Sequence, residues 1–307
     1  MTGSGEATIT SLYRTPFGGA TSYPVELVDV RTDAGKEVRL FLKDMTSTRI
    51  AKKGIQGRRS RELSIYRDLL CRLEAGTPRF HGFIQDEAEA RLSLVLEYVE
   101  GTTLESLDFQ HWVLAAEWLG RFQGKCASQE LRPEQKRALV AHDGGYFRAT
   151  ADRAQAAVAQ VSTFLGTQLA RALRDYDLRI AVMATQPRTV VHGSFRPSNI
   201  LVDVGAVPPR VCPVDWELAA WGARLYDLAF LANGCGSPDL DTYWDAYGEG
   251  AAAYGMTVPA LEEVRVVLDS FYLHKLLKSL SECVDRSFPD STVATLVELV
   301  AQRSWGA

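Results

Sequence analysis

Over the first hundred residues the apolar positions fall in short runs separated by turn-forming residues. Residues 7–14 alternate weakly, 24–31 carry Val25, Leu27, Val28 and Val30, and 37–43 form a short β-like run ahead of a polar break. PFGGATS lies between the first two runs and TDAGK between the second and third, each with the small and polar residues that a turn requires. The pattern predicts an antiparallel meander. A helix follows over 58–73, with Ile65, Tyr66, Leu69, Leu70 and Leu73 at spacings of three and four, then two further strands at 79–85 and 91–98.

The period changes after EYVEGTT. From about Leu104 it is mostly helical: 111–122 with Trp112, Ala115, Trp118, Leu119 and Phe122, then one long alanine-rich stretch over 147–184 that Pro187 terminates. Residues 188–213 return to short β-like runs (TVVH, ILVDV, RVCPV), and helices resume to the end. No internal repeat or low-complexity block interrupts this plan, so the boundary falls at 100–103 and divides a first lobe, 1–99, from a second, 100–307.

Composition adds exclusions. With 307 residues, 46% hydrophobic and 23% charged, the chain has the make-up of an ordinary globular protein large enough for two lobes. A net charge of -4 speaks against nucleic-acid binding by bulk positive charge, and Lys52, Lys53, Arg58 and Arg59 read as a solvated helix face. The acidic residues Asp239, Asp241, Asp245 and Glu249 read first as a solvated loop and helix start, with a face toward a cationic acceptor as the alternative. The five cysteines are scattered without a CxxC pair, which argues against a disulfide framework or a zinc site. The start MTGSGEATIT has neither the basic region nor the apolar run of a secretory signal, and no stretch holds 18 consecutive apolar residues. The expectation is a cytoplasmic protein with reduced thiols and no membrane or nucleic-acid partner.

The densest chemistry lies in Val190-Val191-His192-Gly193-Ser194-Phe195-Arg196-Pro197-Ser198-Asn199-Ile200-Leu201-Val202, followed after a loop by Val214-Asp215-Trp216-Glu217. Glu62 is one turn before Tyr66 and two before Leu69, on the face that packs inward, so its carboxylate needs a cation; Lys43, at the end of the third strand, is the natural one.

These segments resemble the catalytic core of the aminoglycoside phosphotransferase and choline kinase group, HGDxxxxN followed by a strand and an aspartate. The resemblance implies an α+β, bilobal protein-kinase-like fold: a small antiparallel N-terminal lobe with one main helix, and a larger, mostly helical C-terminal lobe carrying the catalytic and metal loop at 190–217. It implies ATP and Mg²⁺ as cofactors and a hydroxyl-bearing small molecule as acceptor. By this likeness Asn199 and Asp215 would be the metal ligands, His192 would order the loop, and Lys43, paired with Glu62, would hold the α and β phosphates. Gly18 and Gly19, with Thr21 and Ser22, would approach phosphate from the first hairpin, and backbone groups of Glu97 to Val99 would meet the adenine edge. Phe41, on the face of Lys43, would press on the adenine pocket. GARLYDLAFL resembles the family helix whose aspartate, here Asp227, braces the catalytic loop.

The departure is Ser194, which stands where the family has its catalytic aspartate. A serine hydroxyl without an activating partner is a poor base at neutral pH, and loss of a positioned base costs ~10²- to 10⁴-fold in rate. Glu217 is a conceivable substitute base, but as the third residue of DWE it reads first as a metal-shell or structural group. Several readings stand side by side: a phosphotransferase impaired at its base position by nature or by replacement, a pseudokinase that binds a nucleotide or small molecule for regulation or scaffolding, a kinase-fold enzyme with another chemistry, and an interaction platform that keeps only the outline.

Overall fold

The computed structural model describes residues 8–19, 22–49, 54–86, 91–233 and 239–303. The chain divides into two compact units, residues 1–102 with 201–217, and residues 103–200 with 218–307.

In the first unit the runs of the meander become β1 (Ile9–Pro16), β2 (Val25–Thr32) and β3 (Glu37–Asp44), joined by β4 (Phe80–Asp86) and β5 (Arg91–Glu97) in one five-stranded sheet. Its order is β1-β2-β3-β5-β4, with every pair antiparallel. β3 is therefore central, and its register sets Lys43 opposite Val25 on one side and Leu94 on the other. All three residues are buried. A one-residue slip of β3 would send Lys43 to the other face of the sheet, so the apolar partners that define the register also aim the lysine.

The predicted helix is α1 (Ile55–Ile65), continued by a π-helical turn, Tyr66–Leu70, and a last turn, Cys71–Leu73. Its inner face buries Leu63, Ile65, Tyr66, Leu69, Leu70 and Leu73, and Glu62 lies among them at 1% exposure. Residues 201–217, which the pattern along the chain assigns to the second lobe, group instead with the first. Arg210 shows how they are tied there: its guanidinium donates to the carbonyls of Gly76 (2.8 Å) and Thr77 (3.0 Å) and to both oxygens of Glu97 (2.7 and 2.9 Å). Such long-range ties leave no trace in local periodicity.

The second unit is mostly helical: α2 (Phe109–Ala127), α3 (Gly144–Val161), α4 (Thr163–Ala172), α5 (Tyr176–Ala184), α6 (Leu225–Ala232), α7 (Leu240–Ala252), α8 (Leu261–Leu280) and α9 (Asp290–Ala301). The alanine-rich stretch that reads as one helix is three. Ser162 takes an extended conformation that ends α3, and its hydroxyl caps α4 by accepting from the Leu165 N–H at 3.4 Å. A small sheet pairs Ala220–Ala223 with Arg188–Val191 antiparallel and with Val140–Ala141 parallel. Among the described residues no helix is long and apolar enough to cross a membrane.

α2 and α7 cross at glycines. A Cβ on Gly120 would lie 2.1 Å from the Tyr247 carbonyl oxygen, and one on Gly250 would lie 2.1 Å from that of Glu117. Because backbone lies on the far side in both cases, the helices must part to admit a methyl group. Gly250→Ala is expected to lower stability by about 1–3 kcal/mol, the usual range for overpacking, in urea unfolding. An unchanged midpoint would show that the crossing is looser than described.

Candidate active site

In the first unit, Lys43 reaches from the central strand into a set of carboxylates. Its Nζ lies 2.8 Å from each oxygen of Glu62 and 2.8 Å from Oδ1 of Asp215. The pair expected from the helix face is thus present, and Asp215 joins it. Burial works against the Lys43 ammonium, but Asp215 and Glu62 outweigh it and hold its pKa above that of a free lysine. Burial pushes Glu62 the other way, up to about 7, with Lys43 pulling it back and Asp215 adding to the rise.

Asp215 has φ 65°, a left-handed backbone that a non-glycine residue adopts at a cost and that is concentrated in functional sites. The turn is anchored by Trp216, which is fully buried and donates from Nε1 to the Pro213 carbonyl at 3.1 Å. Glu217 is also held. Its Oε1 accepts from Arg58 at 2.9 Å, its Oε2 from the Tyr23 hydroxyl at 3.4 Å, and its backbone carbonyl from Arg61 at 2.5 Å. With both carboxylate oxygens already accepting, this geometry does not favour Glu217 as a proton acceptor. Tyr23 also covers the lysine, with its ring centroid 4.9 Å from Lys43 Nζ.

The remaining first-unit positions divide. Glu97 spends its N–H on the Arg79 carbonyl (2.8 Å) and its carboxylate on Arg210, while the adjoining Val99 is buried. Gly18 has open space where a Cβ would be, whereas one on Gly19 would meet the Phe17 ring at 2.8 Å. That ring packs edge-on against Phe41 (5.9 Å) and Tyr98 (6.5 Å), so Phe41 belongs to an aromatic group with the residue before the glycines. The Ser22 carbonyl accepts from the Arg49 N–H at 2.9 Å. Thr21 lies outside the described residues, as do Lys52 and Lys53.

The second unit builds the loop. Strand Arg188–Val191 ends at His192, and Gly193 turns the chain with φ +76°; a Cβ there would lie 2.1 Å from the Leu218 carbonyl oxygen. Asp227, fully buried on α6, accepts the N–H of His192 at 2.6 Å and that of Gly193 at 3.0 Å. Burial raises its pKa to about 7, against the pull of those two donors. His192 is buried, and its Nδ1 accepts from the Ser194 N–H at 3.3 Å. Phe195 is stacked on Trp118 at 5.8 Å, which fixes the loop from its apolar side.

Ser194 is only 3% exposed, and its hydroxyl oxygen accepts from Arg196 Nε at 3.1 Å and from Asn199 Nδ2 at 3.3 Å. Asn199 Nδ2 also donates to the Ser194 carbonyl at 3.1 Å. Both side-chain donors are thus turned toward the serine, which leaves the amide oxygen of Asn199 as its group for a cation. Lys278 donates to the Gly193 carbonyl at 2.9 Å. Arg58 and Arg59, read from the sequence as a solvated helix face, are instead half-buried and engaged, Arg58 on Glu217 and Arg59 on the Thr46 carbonyl at 2.9 Å, because the helix turns them toward the sheet and the Asp215 turn. Arg61, Tyr23, Arg196 and Lys278 were given no role by the sequence reading. Of these only Arg196, inside the loop motif itself, had a local signal.

A buried lysine–glutamate pair on a sheet and its helix, an aspartate in a strained turn, and a loop braced by a buried aspartate define a protein-kinase-like phosphotransferase fold. The chain belongs to the phosphotransferase enzyme family, whose model matches residues 28–265. Among solved structures it is similar to an aminoglycoside 2″-phosphotransferase in complex with GDP and kanamycin, at TM-score 0.63 and 14% identity, over 97% of this chain and 94% of the other. It is also similar to a macrolide 2′-phosphotransferase from Brachybacterium faecium, at TM-score 0.59 and 15% identity over 96% and 92%. A spectinomycin phosphotransferase in complex with ADP and spectinomycin matches at TM-score 0.57 and 12% identity over 97% and 93%. No curated protein sequence matches the chain.

Proposed function

We propose that this chain is an ATP-dependent small-molecule phosphotransferase of the aminoglycoside phosphotransferase type whose turnover is limited at Ser194. The observation that carries the reading is the lysine held at 2.8 Å from both Glu62 oxygens and from Asp215, because a buried ammonium aimed by two carboxylates is prepared to receive phosphate oxygens. The GDP and ADP complexes of the similar structures support nucleotide use.

The donor set fits magnesium. Carboxylate oxygens of Glu62, Asp215 and Glu217 lie within 4.8 Å of one another, and Asp215, with its side chain 35% exposed, is the accessible member. Asp215 and the amide oxygen of Asn199 are the proposed ligands, and the ion would neutralise charge on the nucleotide's phosphate oxygens. Lys43 would bind the α and β phosphates, Gly18 and Gly19 would admit the backbone close to them, and the Val99 N–H would meet the base.

In the transfer itself, the acceptor oxygen bonds to the terminal phosphorus, the bond from that phosphorus to the bridging oxygen breaks, and ADP departs. The acceptor's proton must go to a base, and the hydroxyl of Ser194, already accepting from Arg196 and Asn199, takes it poorly. The same observation favours one second reading, a nucleotide-binding pseudokinase.

Asp215→Ala is expected to weaken Mg²⁺-ATP binding about 10-fold or more in calorimetry, since a charged metal ligand is lost. The unmodified chain showing no affinity for Mg²⁺-ATP or Mg²⁺-GTP would sink both readings and leave the interaction platform.

A further inference from the structure

An ammonium group has three N–H bonds, and the first unit engages all three of those on Lys43 with carboxylates. Two contacts of 2.8 Å go to the oxygens of Glu62, and the third, also 2.8 Å, goes to Oδ1 of Asp215. Tyr23 closes a further side. Its ring centroid lies 4.9 Å from the ammonium nitrogen and its hydroxyl donates to Glu217 Oε2 at 3.4 Å, which leaves Tyr23 1% and Lys43 8% exposed. Strand pairing holds the ring there: Val25 is the β2 partner of Lys43, and the Pro24 carbonyl accepts from the Asp44 N–H at 2.9 Å. A phosphate oxygen therefore finds no free N–H on the lysine in this form, and one carboxylate contact has to give way before it can bind. The acids are unequal. Glu62 holds the lysine with both oxygens from an apolar helix face at 1% exposure. Asp215 contributes one oxygen, from a left-handed turn with φ 65° and with its side chain 35% exposed. Glu217, whose carboxylate lies within 4.8 Å of the other two, already accepts from Arg58 and Tyr23. Asp215 is thus the acid that a divalent cation can reach and that the lysine loses most easily.

We propose that this is a self-closed form of the site: Asp215 holds the place of a phosphate oxygen on Lys43 beside the covering ring of Tyr23, and a divalent cation opens the site by taking Asp215. This rests on the phosphotransferase reading for the nucleotide that enters, but the closure itself stands on Lys43, Asp215 and Tyr23. Capture of Asp215 by the cation has two consequences at once. One N–H of the lysine is released to accept a phosphate oxygen as its partner, and a negative charge that would repel phosphate is neutralised. Cation and nucleotide then bind cooperatively through the protein, because each relieves a cost that the other would meet alone.

The test titrates ADP into the full chain by calorimetry, once in EDTA and once in saturating Mg²⁺. Asp215→Ala should bind ADP about 10-fold more tightly than the parent in EDTA, the worth of one charge-assisted hydrogen bond released on the lysine, and more weakly than the parent in Mg²⁺. Loss of a negative charge would by itself favour ADP, so the deciding variant changes no charge. Tyr23→Ala uncovers Lys43 and should tighten ADP in EDTA by about 3- to 10-fold, as the open form becomes more populated. Access to the lysine is also read with no nucleotide present, as the rate at which acetic anhydride acetylates Lys43 relative to the exposed Lys36, mapped by mass spectrometry. That ratio should be low in the metal-free parent and should rise about 10-fold or more both in Tyr23→Ala and on adding Mg²⁺ to the parent. Circular dichroism and thermal unfolding verify that each variant is folded, and Tyr23→Leu, which keeps apolar bulk but loses the ring and the hydroxyl, replaces Tyr23→Ala if that variant is not. Acetylation that fails to rise in the Tyr23 variant, or fails to rise with Mg²⁺, overturns the proposal and leaves the nucleotide reading untouched. ADP that binds in EDTA with equal affinity to the parent and the Tyr23 variant overturns it as well. If ADP binds neither protein while acetylation responds as stated, the closure stands and the result counts only against the nucleotide reading.

Discussion

Lys43→Met is expected to abolish measurable Mg²⁺-nucleotide binding and to destabilise the fold by about 3–5 kcal/mol, because it leaves a buried carboxylate without its cation. Glu62 is 1% exposed and takes two contacts of 2.8 Å from the lysine, so no water is at hand to replace them. The loss should depend on pH with a definite sign. Burial already raises Glu62 to about 7, above the value of an unfolded-chain glutamate, and the lysine is what pulls it back. A carboxyl with a raised folded pKa holds its proton more tightly in the native state, so its contribution to stability falls as pH rises from the unfolded value through the folded one. Removing the ammonium raises the folded pKa further and widens that window upward. The variant should therefore be closest to the parent near pH 5 and fall progressively behind it toward pH 8, in urea unfolding followed across that range. A deficit under about 1 kcal/mol and independent of pH would mean that Glu62 is not the buried, lysine-dependent acid described here.

Ser194→Asp is expected to raise phosphorylation of neutral hydroxyl acceptors by ~10²-fold or more, the range for a positioned general base. Its surroundings suit a carboxylate: the serine oxygen already accepts from Arg196 Nε and Asn199 Nδ2, and the backbone N–H is tied to His192. Arg196 would hold such a carboxylate in place and also lower its basicity, so the gain should be larger in the double variant with Arg196→Gln if proton acceptance limits the rate. The measurement is ADP release across a panel of alcohols and amino sugars, with nucleotide affinity determined alongside. Normal nucleotide binding with no turnover in any acceptor would remove the main support for a latent kinase and favour the pseudokinase.

Much of this was legible residue by residue. The turn residues and apolar runs of the first hundred positions mark the strands that form, because short apolar runs bounded by turn-forming residues are what a strand of β2, β3 or β5 leaves in the sequence. Glu62 on an apolar helix face implied a buried partner, and Lys43 is that partner. Where the pattern was less informative, the reason is physical: Ser162 interrupts an alanine-rich stretch by a cap, and a cap depends on where the chain turns next rather than on composition.

Periodicity and spacing by themselves determined the strands and main helix of the first unit and the candidate lysine–glutamate pair, and the motif marked the loop that carries Ser194. Only the tertiary structure decided that residues 201–217 join the first unit, that Asp215 completes the lysine's set, that Arg58 and Tyr23 occupy both oxygens of Glu217, and that Arg196 and Lys278 both donate to the loop at Gly193 and Ser194. The first group are properties of neighbours along the chain, where side-chain direction follows from a repeat of two or 3.6 residues. The second are hydrogen bonds and ion pairs between groups as far apart as 194 residues, and a polar group carries no local signature of the partner it will find once the chain is folded.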